Sequence, residues 1–127
     1  MDLFKKELVI FYLAKLKDCV ENGKFHILQR LENIDFISKY NLSKAKQADI
    51  LSGLTVEDFF DSDDSRKFAN SYLYMFAPTV KILDAFGAEE SVDMYIKFEI
   101  KENSNGEDVA VISFHKLEYP VQYPFRK

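Results

Sequence analysis

A strict alternation of apolar and polar residues from Val92 to Lys101 constrains the fold more than any other feature of the chain. Successive side chains of a β-strand point to opposite faces of the sheet, so this pattern predicts a strand with one buried and one uncovered face. The buried face would carry Val92, Met94, Ile96, Phe98 and Ile100, and the uncovered face Asp93, Tyr95, Lys97, Glu99 and Lys101. A sheet of this kind needs other elements to cover its apolar face.

The first half of the chain is predicted to supply that cover as helices. The spacing of apolar residues predicts three of them, at Leu3 to Asn22, Gln29 to Lys39 and Ser43 to about Gly53. In the second helix, Leu31, Ile34 and Ile37 would form the buried face. Helices followed by strands indicate an α+β fold, with N-terminal helices packed on a small antiparallel β-sheet. With 127 residues, the chain has the length of a single domain, 1–127.

The remaining segments are read as strands and an extended tail. Ser71 to Phe76 and Val109 to His115 are predicted strands, whereas the pattern at 82–91 is ambiguous. Pro120 and Pro124 exclude a helix in the tail.

The loop after the alternating strand determines which residues this strand meets on its partner. A two-residue turn at 105–106 would pair Phe98 with Ser113, mixing polar and apolar residues on one face. A three-residue loop at 104–106 would instead pair Phe98 with Ile112. We favour the second register, because the burial of one face selects register strongly.

The favoured register gathers three polar side chains on the uncovered face. Tyr95 would lie opposite His115, with Lys97 beside them, and directly opposed Cβ atoms lie about 5 Å apart. Such a trio suits the cleavage of RNA by its own 2′-hydroxyl. Histidine can move the proton, lysine can stabilise the charged phosphorane, and tyrosine can donate a hydrogen bond to phosphate. Exposed Tyr, Lys and His side chains are also common on sheet faces that have no catalytic role.

The charge of the chain leaves two interpretations of its C-terminal tail. A net charge of −4 argues against nucleic acid, because phosphate binding favours Lys and Arg. The tail is nevertheless aromatic and basic. Tyr119 and Tyr123 could stack on bases of single-stranded RNA while Arg126 and Lys127 hold phosphates. The alternative, which we favour, is that the segment 119–125 packs back over the sheet edge.

Cysteine use and hydropathy indicate a cytoplasmic protein that needs no cofactor. Cys19 is the only cysteine, which excludes an intrachain disulfide and suits a core position in a reducing compartment. The apolar run after Lys5 and Lys6 is far shorter than the ~20 residues of a membrane span, so no membrane partner is expected. The sequence has neither a metal-ligand spacing nor a glycine-rich phosphate loop. It does not indicate an oligomeric state.

Three segments of the chain resemble the MqsR family of toxins from toxin–antitoxin systems. Residues 48–60 (ADILSGLTVEDFF) resemble the family's I-x-G-L-x-x-x-D-F segment. Residues 94–100 (MYIKFEI) resemble its V-Y-L-K-I strand, and residues 111–115 (VISFH) its final V-S-F-K strand. The order and approximate spacing also agree, so the resemblance extends from about Lys24 to His115.

The resemblance implies a ribonuclease-toxin fold that cuts messenger RNA without a metal, and a cognate antitoxin protein as partner. The family's active-site tyrosine and the lysine after it correspond to Tyr95 and Lys97, and its late catalytic lysine corresponds to His115. Two family residues are not matched. The earlier catalytic lysine corresponds to Asp61, and the family's glutamine falls near positions 73–74.

Three functions therefore stay open. The first is the toxin of a toxin–antitoxin pair, an endoribonuclease with His115, Tyr95 and Lys97 as catalytic residues. The second is a non-catalytic protein- or RNA-binding regulator on the same fold, which the net charge and Asp61 favour. The third is a phage- or element-borne regulator of another target.

Overall fold

The structure, a computed structural model, describes residues 3–63, 72–104 and 106–126. Within these ranges the fold is α+β, as predicted, with helices packed on a six-stranded sheet. The helices are α1 (Leu3–Glu21), α2 (Leu31–Lys39) and α3 (Lys44–Ser52), followed by a 3-10 turn at Val56–Asp58. The strands are β1 (Phe25–Ile27), β2 (Phe59–Asp63), β3 (Tyr72–Phe76), β4 (Thr79–Leu83), β5 (Glu89–Asn103) and β6 (Gly106–Lys116).

The sheet is mixed rather than purely antiparallel, which corrects the prediction. Its strands lie in the order β1-β6-β5-β3-β2, and β4 pairs with β5 outside this row. The short strand β1 runs parallel to β6, with Phe25 beside Val109 and Ile27 beside Val111, and the other described pairings are antiparallel. No hairpin turn connects β1 to β6. Parallel strands need a long crossover connection, so an alternating pattern alone does not reveal the direction of β1.

The strand predicted from the alternating pattern is the long central strand β5. Its residues 89–93 pair with β4, and the residues after them pair with β3 and β6. The ambiguous segment 82–91 is therefore part of a hairpin. Its turn is closed by the Asp84 carboxylate, which accepts hydrogen bonds from the backbone N–H groups of Phe86 (2.8 Å) and Ala88 (2.9 Å).

The loop between β5 and β6 differs from both predicted alternatives. Asn103 pairs with Gly106, so the loop consists of the two residues 104–105. As a result, Phe98 lies opposite Val111, one residue away from the predicted partner Ile112.

A β-bulge restores the predicted pairing further along the hairpin. Lys97 pairs with Ser113 while the next residue of β5 pairs with Val111, so Ile112 is an extra residue in β6. Beyond the bulge, Tyr95 lies opposite His115, as predicted. The predicted pairing of Tyr95 with His115 is therefore present, but it depends on a bulge and not on a longer loop.

The core lies between the helices and one face of the sheet, and it contains the predicted face of β5. Val92, Met94, Ile96, Phe98 and Ile100 are all buried. Phe98 stacks on Phe76, with ring centroids 5.5 Å apart. Helix α1 contributes Val9, Leu13, Leu16, Cys19 and Val20, so the cysteine is a core residue, as expected. None of the helices within the described ranges has the length and apolar character that a membrane crossing requires.

Helix α2 turns a different face to the core than predicted. Leu31 and Ile34 are 69% and 41% exposed, whereas Asn33 and Phe36 are buried. The Phe36 ring packs against the Phe114 ring of β6, with centroids 6.1 Å apart. The hydrophobic residues indicated the wrong face of α2 because one buried position of the helix faces the backbone of β6. An amide side chain can form hydrogen bonds with that backbone, whereas an apolar side chain cannot.

Candidate functional site

Tyr95 and His115 form the centre of the candidate site, on the sheet face opposite to the core. Their ring centroids are 5.5 Å apart and their ring planes are inclined by 87°, an edge-to-face contact. The Nδ1 atom of His115 lies 3.0 Å from the backbone carbonyl oxygen of Lys116. Because a carbonyl oxygen can only accept, Nδ1 donates in this contact and Nε2 is left for a ligand.

A second row of side chains lies beside this pair on the same face. Lys97 pairs with Ser113 of β6 on one side and with Met75 of β3 on the other, and Met75 pairs with Asp61 of β2. Directly paired residues point to the same face of a sheet, so a lysine and a carboxylate share this face with the aromatic pair. Asp61 is one of the positions that depart from the family pattern, and the strand that carries it was not predicted.

Tyr95 is half-buried in an aromatic cluster. The rings of Phe60 and Tyr119 lie 5.9 Å and 6.3 Å from its ring, centroid to centroid. Burial raises the pKa of the Tyr95 phenol above its ordinary value, and Tyr119 and the negative charge of Asp61 act in the same direction. The phenol therefore keeps its proton at neutral pH and is suited to donate a hydrogen bond, not to act as a base.

Arg30 is a cation near the site that the sequence analysis did not identify. It immediately precedes α2, and its Nη1 atom lies 3.4 Å from the carbonyl oxygen of Ile112, the extra residue of the bulge. Its charge acts on the Tyr95 phenol and lowers the pKa, against the effect of burial. One sequence signal could have identified Arg30. A cation at a helix N-terminus interacts unfavourably with the helix dipole, so an arginine in that position suggests a role other than helix stabilisation.

A groove of about 280 Å³ separates His115 from the polar side of α2. Carboxylates and lysines both line it, namely Glu32, Asp35, Lys39, Lys116 and Glu118. Three carboxylates against two lysines give the groove a slightly negative lining.

The structure describes three of the four tail residues predicted to bind RNA, and they make separate contacts. Tyr119 is 52% exposed and contacts Tyr95, so it belongs to the site. Tyr123 and Arg126 contact each other, with the guanidinium 3.6 Å from the ring centroid. Lys127 lies outside the described residues.

The end of the tail packs back on the fold, which is the interpretation we favoured from the sequence. Phe125 is buried and stacks on Phe59, with centroids 5.5 Å apart. Arg126 forms an ion pair with Asp58 at 3.4 Å. The Tyr123 hydroxyl donates to a backbone carbonyl between β3 and β4 at 2.8 Å. These contacts give the tail a structural role, whether or not it also meets RNA.

In the part of the chain that the structure describes, no three His, Cys, Asp or Glu side chains are grouped so that they could hold a metal ion. Comparison of the chain with known protein families, with curated proteins and with solved structures finds no match. A function for this protein must therefore come from the chemistry of its own residues.

Proposed function

We propose that this protein is an endoribonuclease that cleaves single-stranded RNA at the Tyr95–His115 pair without a metal ion. The observation that carries the proposal is the contact of a phenol and an imidazole, 5.5 Å apart between centroids, on a face that also holds Lys97. The resemblance of three segments to the MqsR toxins adds the biological role. On that basis the protein is the toxin of a toxin–antitoxin pair, its substrate is messenger RNA, and an antitoxin protein is its partner.

His115 carries the proton transfer in this proposal. A neutral imidazole that donates from Nδ1 to a backbone carbonyl has its lone pair on Nε2, and this lone pair accepts the proton of the RNA 2′-hydroxyl. The 2′-oxygen attacks phosphorus and the bond from phosphorus to the 5′-oxygen breaks. The 5′-oxygen takes a proton from water, and the resulting hydroxide recovers the proton held by His115. The products are a 2′,3′-cyclic phosphate and a 5′-hydroxyl end.

Lys97 and Arg30 stabilise the extra negative charge of the phosphorane. Asp61 stands where the MqsR toxins have a lysine and cannot supply its positive charge. Arg30 supplies a positive charge instead, since the charge of its guanidinium already acts on the Tyr95 phenol. Tyr95, which keeps its proton, donates a hydrogen bond to a phosphate oxygen. Charge stabilisation of this kind is often the largest single contribution to catalysis.

The proposal is tested by incubating the full chain with a 5′-labelled single-stranded RNA in the presence of EDTA. We expect fragments that end in a 2′,3′-cyclic phosphate. Production of the protein in cells without a partner is expected to arrest growth and to cleave messenger RNA. RNA that stays intact under conditions where a known ribonuclease works would contradict the proposal.

A non-catalytic binding function on the same fold is the second candidate, and the acidic side chains around the site favour it. Asp61 shares the polar face, and Glu32, Asp35 and Glu118 line the groove beside His115. Together with the net charge of −4, they fit a basic segment of a partner protein better than a phosphate backbone. If the parent protein and His115→Ala both leave RNA uncut, this candidate takes precedence.

A further inference from the structure

A buried asparagine on α2 is bound to the backbone of β6 beside the candidate site. Asn33 is 1% exposed. Its Nδ2 atom donates to the carbonyl oxygens of Leu28 and Ile112, both at 3.0 Å, and its Oδ1 atom accepts from the backbone N–H of Phe114 at 2.8 Å. Three of the four hydrogen bonds that a side-chain amide can form are thus made to backbone groups.

Two of these three bonds lie across the bulge of β6. The bulge consists of the extra residue Ile112, and Asn33 bridges the carbonyl before Ser113 and the N–H after it. The parallel pairing of β1 with β6 ends at Val111, whose carbonyl accepts from the N–H of Leu28 at 2.9 Å. Beyond Val111, the Asn33 side chain makes the hydrogen bonds to the β6 backbone that a neighbouring strand would otherwise make.

The bulge determines which side chain of β6 faces Tyr95. If the pairing of Asn103 with Gly106 continued without an extra residue, Tyr95 would lie opposite Phe114. A shift of one residue turns every following side chain to the other face of a sheet. Phe114 would then point to the polar face and His115 into the core.

We propose that Asn33 is a positioning residue that holds the bulge of β6 and thereby keeps His115 opposite Tyr95. The Nη1 atom of Arg30 lies 3.4 Å from the Ile112 carbonyl oxygen to which Asn33 also donates. The Asn33 side chain therefore also fixes the backbone group that orients the guanidinium. The effect on cleavage rests on the proposed ribonuclease function. The effect on register does not.

The test compares Asn33→Leu, which keeps the approximate volume but removes the amide, with Ile37→Ala. Ile37 is a half-buried apolar residue of the same helix, so its truncation lowers stability without touching the bulge. Each variant is measured for thermal unfolding, for RNA cleavage and for NMR cross-peaks between the ring protons of Tyr95 and His115. We expect Asn33→Leu to lose the cross-peaks and to cleave roughly 10²-fold more slowly, as a catalytic group misplaced by about 1 Å would. Ile37→Ala should keep both.

Hydrogen exchange and a second variant keep the proposal falsifiable if Asn33→Leu does not fold. In the parent protein, the N–H of Phe114 should exchange as slowly as core amides, and fast exchange would overturn the proposal. Asn33→Asp retains the acceptor for this N–H and loses the donor to Ile112, so it should show weakened cross-peaks. Unchanged cross-peaks in a folded Asn33 variant would also overturn it. If the parent protein does not cleave RNA, the ribonuclease proposal fails, while the cross-peaks still decide the role of Asn33.

Discussion

Tyr95 and His115 meet edge to face across β5 and β6, with their ring centroids 5.5 Å apart. The contact exists because the hairpin gains one residue in β6 between the Lys97 and Phe98 pairs. Residues on one face of the hairpin line the candidate site, and residues on the other face form the core. Substitutions on the polar face should therefore change function with little effect on stability, and substitutions on the buried face should do the reverse.

Replacement of His115 by alanine is expected to abolish RNA cleavage and toxicity while the fold is kept. General acid–base groups typically contribute about 10²–10⁴-fold to a rate. The matched control is His26→Ala, because His26 is the other histidine of the chain and is exposed. His26 lies on β1 and pairs with Ala110 of β6, which is roughly 16 Å along that strand from His115. Cleavage rates and thermal unfolding of both variants are compared with the parent. Equal activity of His115→Ala and parent would exclude His115 from the reaction.

Removal of a positive charge at the site should weaken cleavage less than removal of His115. Lys97→Ala and Arg30→Ala each leave one cation to stabilise the phosphorane, so each should cost less than the ~10²-fold or more that is typical of a single oxyanion donor. Lys101→Ala is the control, since Lys101 is exposed on the same strand and 3.5 Å from Glu99. Tyr95→Phe should also cause a moderate loss. Initial rates at saturating RNA give the comparison, and an Arg30→Ala enzyme as fast as Lys101→Ala would remove Arg30 from the mechanism.

Truncation of Phe98 should destabilise the protein by about 3–5 kcal/mol, the usual range for a core aromatic residue. Phe98 is fully buried and stacks on Phe76. Lys101→Ala, on the exposed face, should change the free energy of unfolding by less than about 0.5 kcal/mol. Urea unfolding monitored by circular dichroism measures both values. A loss well below 1 kcal/mol for Phe98→Ala would show that this face is not the buried one.

The two aromatic residues Phe125 and Tyr119 of the tail should respond differently to substitution. Phe125→Ala removes a buried ring that stacks on Phe59 and should lower stability by about 3–5 kcal/mol. Tyr119→Ala removes a half-exposed ring beside Tyr95, so it should weaken RNA binding and leave the melting temperature nearly unchanged. Thermal melts and RNA titrations separate the two effects. The opposite assignment, with stability lost in Tyr119→Ala alone, would contradict the packing of the tail.

Alkaline pH should destabilise the protein through Tyr40. Burial, followed by the hydrogen bond to Glu90 at 2.7 Å, raises the pKa of Tyr40 from 10.0 to about 12. Because the pKa is higher in the folded state, the stabilisation is complete below about pH 10 and is lost as the pH rises from 10 toward 12. Tyr40→Phe should lower stability at pH 7 by roughly 1–3 kcal/mol, through the lost hydrogen bond, and should make the alkaline decline shallower. Urea midpoints from pH 7 to 11 test this, with the exposed Tyr119→Phe as control, and parallel curves for Tyr40→Phe and parent would refute it.

The features predicted correctly from the sequence are those that local periodicity and end signals determine. The alternation around Phe98 identifies a strand and its buried face, because side chains alternate strictly along a strand. Gly23 follows α1 with a φ of +71°, the left-handed conformation in which glycine ends helices. Ser43 accepts a hydrogen bond from the N–H of Lys46 and caps α3. Each of these signals depends on residues only a few positions apart.

The features that were missed depend on contacts between residues far apart in the chain. The direction of β1, the bulge at Ile112 and the approach of Arg30 to Tyr95 all follow from the packing of α2 and β1 against β6. The buried face of α2 was predicted wrongly because one of its buried residues, Asn33, satisfies backbone groups 79 and 81 positions away in sequence.

The sequence by itself therefore determined that Tyr95, Lys97 and His115 are polar residues of a two-faced hairpin, because alternation is a local property of the chain. The favoured register also placed Tyr95 opposite His115, but only the tertiary structure decided that a bulge brings this pairing about and that an arginine lies near it. The register of a hairpin with a bulge is set by the hydrogen bonds that hold the extra residue, and here these come from a helix about 80 positions earlier in the chain.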